Sequence, residues 1–300
     1  MDPHVLRTFV TVARLGSFSA AADELGYTQS AVSQQVAALE ADLGLTLLRR
    51  RPVEPTEAGL RLLEHAGPLL LRIQAARADV RRTAAAPAYR LTLAAAPAAL
   101  NAVVARRLAR ARAAQPRLTV RVRACPAAQV ADLVAGGQAE LGLADGIAAP
   151  SDPLRMPDVG PLTRAGVGEE PLVVALPAGH PLAGRPGLRL ADLVDARWLQ
   201  TPLCPVERLR ELAGDGFRPA LTYTGQDVRA VVNLVAAGHG LTLLPASAAA
   251  GVPGLSGVAV LAPRLVHRVE LLHGTLPPGP AAELAAELAA ELAAGLSGPG

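Results

Sequence analysis

Apolar positions along the chain follow three rhythms, and each predicts a different kind of element. Near the N-terminal end Val5, Leu6, Phe9, Val10 and Ala13 recur at helical spacing and give one apolar stripe on a first helix. Gly16 and Ser17 break it. Ser19 is placed to cap a short second helix running through Ala20-Ala21-Ala22 to Leu25, with Gly26 to end it, because glycine accepts the left-handed conformation. Thr28 is a good N-cap for a third helix, in which Val32, Val36, Leu39 and Leu43 form the buried stripe. A short helix, a tight turn and a longer helix make a helix-turn-helix. Beyond it Leu45–Leu48 reads as a short strand, Arg49-Arg50-Arg51-Pro52 as a basic turn and Val53–Thr56 as the returning strand, together a wing.

The other side of the third helix carries Gln29, Ser30, Ser33, Gln34 and Ala37, uncharged hydrogen-bonding or small side chains that let a helix sit deep in a major groove. Gln can pair bidentately with adenine, Ser can donate to or accept from several base edges, and a helix N-terminus suits a phosphate. Alone, such a face is equally a solvated one, and an Arg triplet is ordinarily a solvated loop. Side by side they point to duplex DNA, read by the helix and clamped through its backbone by the wing.

A longer helical rhythm follows. Thr56 can cap it, Glu57 suits its positive end, and Leu62, Ala66, Leu69, Ile73, Ala76 and Val80 alternate spacings of four and three. The charges Glu64, Arg72, Arg77 and Asp79 lie off this narrow seam, which therefore fits a partner helix better than the helix's own domain. Gly67-Pro68 interrupts it, at a cost of roughly 3 kcal/mol for an interior proline, and predicts a bend. Ala85-Ala86-Pro87 reads as a hinge.

From Arg90 the rhythm alternates between strand and helix. Strands are expected at Arg90–Ala94, Leu118–Ala124, Leu141–Ala144, Leu172–Leu176, Trp198–Gln200, Leu221–Thr224 and Leu241–Leu244. Helices are expected at Leu100–Ala113, Gln129–Ala135, Leu190–Val194, Val206–Ala213 and Asp227–Ala237. This alternation predicts an α/β domain with a largely parallel sheet. The Ala/Glu/Leu repeat from Ala281 to Leu292 favours helix by composition and reads as a peripheral or frayed tail ending at Gly295. The expected division is 1–58 for the winged helix-turn-helix, 59–87 for the linker helix and hinge, 88–276 for the α/β part and 277–300 for the tail.

Composition adds little. Aromatics are 2% of the chain, so its cores must be built from Leu, Val and Ala. The net charge of +3 permits a nucleic-acid partner without demanding one. Residues 1–65 hold more Asp and Glu than Arg, so any DNA footprint must be local. Two cysteines, Cys125 and Cys204, are too few for a disulfide framework and fit a reducing compartment. The start Met1-Asp2-Pro3-His4 lacks a secretory pattern, and no apolar run is long enough to span a membrane, so a cytoplasmic protein is expected.

The runs Leu6-Arg-Thr-Phe9, Gly16-Ser-Phe-Ser-Ala-Ala-Ala22, Thr28-Gln-Ser-Ala-Val-Ser-Gln-Gln-Val36, Leu39-Glu40, Leu43-Gly44 and Thr56-Glu-Ala-Gly59 closely resemble the LysR family of transcriptional regulators. The resemblance implies that Gln29, Ser30, Ser33 and Gln34 face bases, with Thr28 at the start of their helix. Ser17, Ser19, Arg49, Arg50, Arg51 and Thr56 would then lie nearer phosphates. Many relatives have Arg where Gln34 stands, and the wing here is shorter than usual. Relatives pair the linker helix between subunits, which implies a homodimer and, as a dimer of dimers, a homotetramer acting on promoter DNA, with RNA polymerase a further partner. Leu172–Leu182 and Val235–Pro245 resemble LysR effector domains, implying two Rossmann-like lobes similar to periplasmic binding proteins with a small-molecule effector between them.

Ligands of open α/β sheets bind beyond the carboxyl ends of strands, which selects Pro97, Ala98, Asp145, Thr201 and Gln226 as effector-binding candidates. Relatives often place Ser or Thr after the first strand to hold a carboxylate, where this chain has Ala96-Pro97-Ala98. The rival reading is a cytosolic binding protein or enzyme on the same scaffold. No nucleophile elbow, Walker loop or G-x-G-x-x-G after a strand supports it, so no catalytic residue and no cofactor are expected. The six histidines lack metal-ligand spacing, and His180 reads as a turn residue.

Overall fold

A computed structural model describes residues 1–84 and 90–295. The hinge expected at Ala85-Ala86-Pro87 lies outside the described residues. Two compact units result: residues 1–84 make most of the first, and the chain from residue 90 nearly all of the second.

The first unit packs α1 (Pro3–Leu15), α2 (Phe18–Leu25) and α3 (Gln29–Leu43) around Phe9, Val12, Ala21, Val32, Val36 and Leu39. Each helix stops on a glycine with positive φ, Gly16, Gly26 and Gly44, a conformation that favours a residue without Cβ. The cap of α2 is Ser17, whose hydroxyl accepts from the Ala20 N–H at 3.2 Å. The exposed Ser19, expected as the cap, sits one residue inside the helix, because the glycine break already ends at Gly16. Leu43, expected in the buried stripe, is 37% exposed at the last turn of α3.

The wing is shifted from its expected register. Its strands are β1 (Leu48–Arg50) and β2 (Val53–Pro55), antiparallel, with Leu48 opposite Pro55 and Arg50 opposite Val53. Arg49 and Arg50 therefore lie on a strand, and only Arg51-Pro52 forms the turn. Leu45 stays exposed, while Leu47 and Leu48 enter the core.

The linker helix α4 (Glu57–Ala84) runs unbroken through Pro68. Its first turns belong to its own unit: Ala66 is fully buried in the head core, with Ala58, Leu62, Leu63 and Leu70 packed against it. Leu62 and Ala66, expected on a partner-facing seam, are thus taken up internally. Leu60 and Leu69 are exposed.

The second unit has two lobes sharing a sheet in the order β4 (Thr119–Ala124), β3 (Arg90–Ala95), β5 (Leu141–Ala148), β12 (Val266–His273), β6 (Thr163–Pro177), β11 (Leu255–Ala262) and β7 (Leu188–Arg189), with β10 (Thr242–Pro245) also on β6. In the first lobe β3 (Arg90–Ala95) pairs parallel with β4 (Thr119–Ala124) and β5 (Leu141–Ala148). The strand β12 (Val266–His273) runs antiparallel to β5 and to the first part of β6 (Thr163–Pro177). Helices α5 (Ala102–Ala114) and α6 (Ala127–Ala135) complete the lobe, together with α10 (Pro280–Gly295). In the second lobe the end of β6, Leu172–Pro177, pairs antiparallel with β10 (Thr242–Pro245) and β11 (Leu255–Ala262). The strand β11 also pairs with β7 (Leu188–Arg189), and β8 (Trp198–Gln200) runs parallel to β9 (Pro219–Thr222). This lobe adds α7 (Val206–Ala213), α8 (Val228–Ala236) and the short α9 (Ala246–Ala249). Its core is anchored by Trp198, set edge-on against Phe217 with centroids 5.5 Å apart and its indole N–H donating to the Leu193 carbonyl.

The sheet is mixed rather than largely parallel. In the first lobe β12 runs antiparallel to both its neighbours, β5 and β6, in the second β10 and β11 run antiparallel to β6, and neither β11 nor β12 stands out by periodicity. The tail is also not peripheral. Leu284 and Leu288 of α10 are buried at 1% and 0% exposure among Leu91, Leu93, Leu141 and Leu271.

Candidate functional site

The exposed end of α3 is held from three sides. Thr28 caps it by accepting from the Ala31 N–H at 3.2 Å, and its hydroxyl lies 3.0 Å from that of Ser30. Gln29, Ser30 and Gln34 are exposed and Ser33 is half-buried on the same side of the helix. Gln35, one residue on, turns the other way and accepts from the buried Thr8 hydroxyl at 2.6 Å, fixing α3 against α1. The wing is tied to α3 by Glu40, whose carboxylate accepts from the Leu47 and Leu48 N–H groups at 2.8 and 3.1 Å and pairs with Arg50 at 3.6 Å.

Arg50 is folded onto this body. It donates to Ser33 Oγ at 3.3 Å, and its guanidinium lies 4.7 Å from the centre of the Phe18 ring. The side chains of Arg49 and Arg51 are exposed and make no hydrogen bond or ion pair with a described residue. Thr56 donates to the Thr46 carbonyl at 2.7 Å and accepts from the Gly59 N–H at 3.1 Å, so its hydroxyl is engaged at the junction of wing and α4. A Cβ on Gly59 would stand 2.2 Å from the Leu47 carbonyl oxygen, so that junction closes only with glycine. Ser17 serves as the α2 cap.

The second site is a cleft between the lobes of the second unit, with about 440 Å³ of space partly open to solvent. It gathers all five positions selected from strand ends. Pro97, Ala98 and Asp145 line it from the first lobe, and Thr201 and Gln226 from the second. Pro97 and Ala98 form a tight turn after β3, and the Ala96 N–H before them donates to the Leu143 carbonyl. Thr201 is 3% exposed, and its hydroxyl accepts from the Cys204 N–H at 3.0 Å. Asp227 caps α8 through the Arg229 N–H at 2.8 Å. Leu203, Val228, Val231 and Leu244 supply an apolar wall.

Behind Asp145 stands His267, 1% exposed, with Nε2 3.2 Å from the Asp145 carboxylate and Nδ1 3.6 Å from that of Glu170. Burial would lower the imidazole pKa, but hydrogen bonding and charge from Asp145 and Glu170 outweigh it and raise the pKa to about 9. Glu170 in turn accepts from the Ser247 N–H at 3.0 Å and is held below the usual carboxylate range.

Comparison with known proteins decides what these two units are. Residues 3–60 match the family model of the bacterial regulatory helix-turn-helix protein, lysR family, and residues 84–294 match that of the LysR substrate binding domain. The chain belongs to the LysR family. It is 31% identical over 257 residues to the HTH-type transcriptional regulator BudR of Raoultella terrigena, an alignment covering 82% of this chain and 85% of BudR. Full-length BenM is similar in structure, with a TM-score of 0.56 at 26% identity over 100% of this chain and 99% of BenM. Full-length CbnR, solved with its target DNA, gives 0.52 at 25% identity over 97% and 99% of the two chains. This chain is a DNA-binding transcriptional regulator with an effector-binding domain.

Burial pushes the thiols of Cys204, to about 11, and of Cys125 upward, away from the thiolate that redox chemistry needs. No group of metal-ligating side chains gathers among the described residues, and no described helix is long and apolar enough to cross a membrane. His180 lies in a turn, its Nδ1 accepting from the Leu182 N–H. Sequence reasoning passed over Gln35, Glu40, Glu170 and His267. The first two stand next to residues it singled out, and only tertiary pairing separates Gln35, aimed inward, from Gln34, aimed outward.

Proposed function

We propose that the regulator binds a pseudo-palindromic promoter site as a homodimer, or as a dimer of dimers, with one α3 in each major groove. The observation that carries this is the polar face of α3, Gln29, Ser30, Ser33 and Gln34, standing beside the exposed Arg49 and Arg51 of the wing. In this reading Gln29 and Ser33 contact base edges, Arg49 and Arg51 contact phosphates, and the start of α3 at Thr28 faces the backbone. Arg50, Ser17, Ser19 and Thr56 lie nearer phosphates, and Arg50 and Thr56 act chiefly by holding the wing in place. The exposed Leu60 and Leu69 of α4 support pairing of that helix with a second copy.

A small molecule held by Pro97, Ala98, Asp145, Thr201 and Gln226 biases the two lobes, and through them the spacing of the DNA heads and contact with RNA polymerase. The protein acts in the cytoplasm, with no catalytic step and no cofactor. Footprinting on its own promoter tests the reading. Gln29→Ala should weaken specific binding by about 1–3 kcal/mol and relax preference at one base position. Unchanged selectivity refutes the assignment, and metabolite turnover without DNA binding refutes the function.

A further inference from the structure

The lining of the cleft offers an anion no cationic side chain. Among the described residues that form it there is no Arg, Lys or His, and its two charged side chains, Asp145 and Asp227, are both acidic. Two of the backbone donors that could replace a cation after β3 are also engaged, which leaves the Ala98 N–H. The Ala96 N–H is bonded to Leu143, Pro97 has none, and the Ala99 N–H is bonded to the Ala96 carbonyl at 3.0 Å. The N-terminus of α8, where a carboxylate or phosphate would otherwise sit, already holds a carboxylate, the Asp227 side chain on the Arg229 N–H. Behind the wall, His267 commits its Nε2 to Asp145 and lies 1% exposed, out of reach of a ligand.

The remaining polar surface accepts more readily than it donates. The Asp145 and Asp227 carboxylates accept only. The Thr201 hydroxyl and the Gln226 amide can do either. The rest is Ala, Pro, Leu, Val and Gly. We infer that the effector is a small, largely apolar molecule whose polar head donates hydrogen bonds and bears no negative charge, an amine before an alcohol and either before a carboxylate. This rests on the reading of the cleft as the effector site and specifies the chemistry that site selects. A carboxylate buried here would face the Asp227 charge and an Asp145 whose one cation, His267, is already shared with Glu170 behind the wall. An ammonium group would meet both carboxylates in a partly dehydrated cleft, where their attraction is stronger than in water.

The test is a matched series on the full-length protein: several six-membered alicyclic and aromatic skeletons, each as the methylamine, the methanol and the carboxylate. Affinity is measured by calorimetric titration and by thermal shift at neutral pH. The expected result is an amine binding at least tenfold more tightly than the carboxylate of the same skeleton. Asp227→Asn, which preserves the helix cap, should narrow that ratio at least threefold with no change in melting temperature of the free protein. Carboxylates that bind equally or better overturn the inference and leave the cleft standing as the effector site. Failure of every head group on every skeleton at millimolar concentration overturns the inference and the reading of the cleft together.

Discussion

Three consecutive arginines show how far one residue type can diverge with its surroundings. Arg50 is committed to the head: its guanidinium reaches Ser33, Glu40 and the Phe18 ring at once. Arg49 and Arg51 reach no described residue and keep their charge in solvent. The two classes should separate experimentally. Arg49→Ala with Arg51→Ala should leave the melting temperature unchanged and weaken binding to any DNA sequence. The salt slope of binding should fall by about 0.9 for each phosphate that is no longer neutralised. Arg50→Ala should instead lower the stability of the head by about 1 kcal/mol, the scale of an exposed cation–aromatic contact plus a partly exposed ion pair. Salt titrations of DNA binding alongside thermal melts decide between them. An unchanged slope in the double variant would remove the wing from the DNA interface.

At the scale of elements, legibility in the sequence follows how local the determining interaction is. The expected bounds of β8 and α7 match the structure, and Thr28 caps the helix that its position announces, while Asp227, expected as the first residue of its helix, is the cap. The cleft was legible too, because strand ends in an α/β sheet define it whatever the side chains are. The strand β12 was not. It is buried along most of its length yet contains His267, Arg268 and Glu270, letters that read as surface. They are tolerated because Arg268 and Arg164 pair with Glu270, and Glu170 and Asp145 flank His267, partners mostly far away in sequence. The tail failed for a related reason. Its repeat specifies a helix but not a face, and the face is chosen by contact with the first lobe, where Gln115 also donates to Glu283 at 2.6 Å. Leu288→Ala should therefore cost about 2–5 kcal/mol, as for a leucine in a closed core. A shift in urea midpoint without a change in slope would show it. A melt identical to that of the unaltered protein would return α10 to the periphery.

At the scale of the whole effector-binding unit, both lobes hang on the place where β6 and β12 cross. The strand β6 leaves the first lobe at Pro171 and joins the second at Leu172, and Pro171 is the partner of Val266 at the start of β12. Next to that crossing, His267 lies opposite Glu170 on β6 and Ile147 on β5. Its pKa rises from 6.5 to about 9 on folding, so the folded protein binds this proton more tightly than the unfolded chain. The resulting stability is complete below pH 6.5 and is lost as pH rises through 9. Arg268, raised further still, and the thiols of Cys125 and Cys204, raised from 9.0, keep their neutral-pH forms through most of that window. Thermal melts between about pH 6 and 9.5 should show a steady fall in midpoint. In His267→Gln the midpoint should be lower at the acid end and nearly level across the range, because no imidazolium is left to lose. Parallel curves for the two proteins would mean that the charge at the crossing contributes nothing to holding the lobes. Convergence at the alkaline end would locate the loss at one proton, shared between a strand crossing and the acidic wall of the cleft between the lobes.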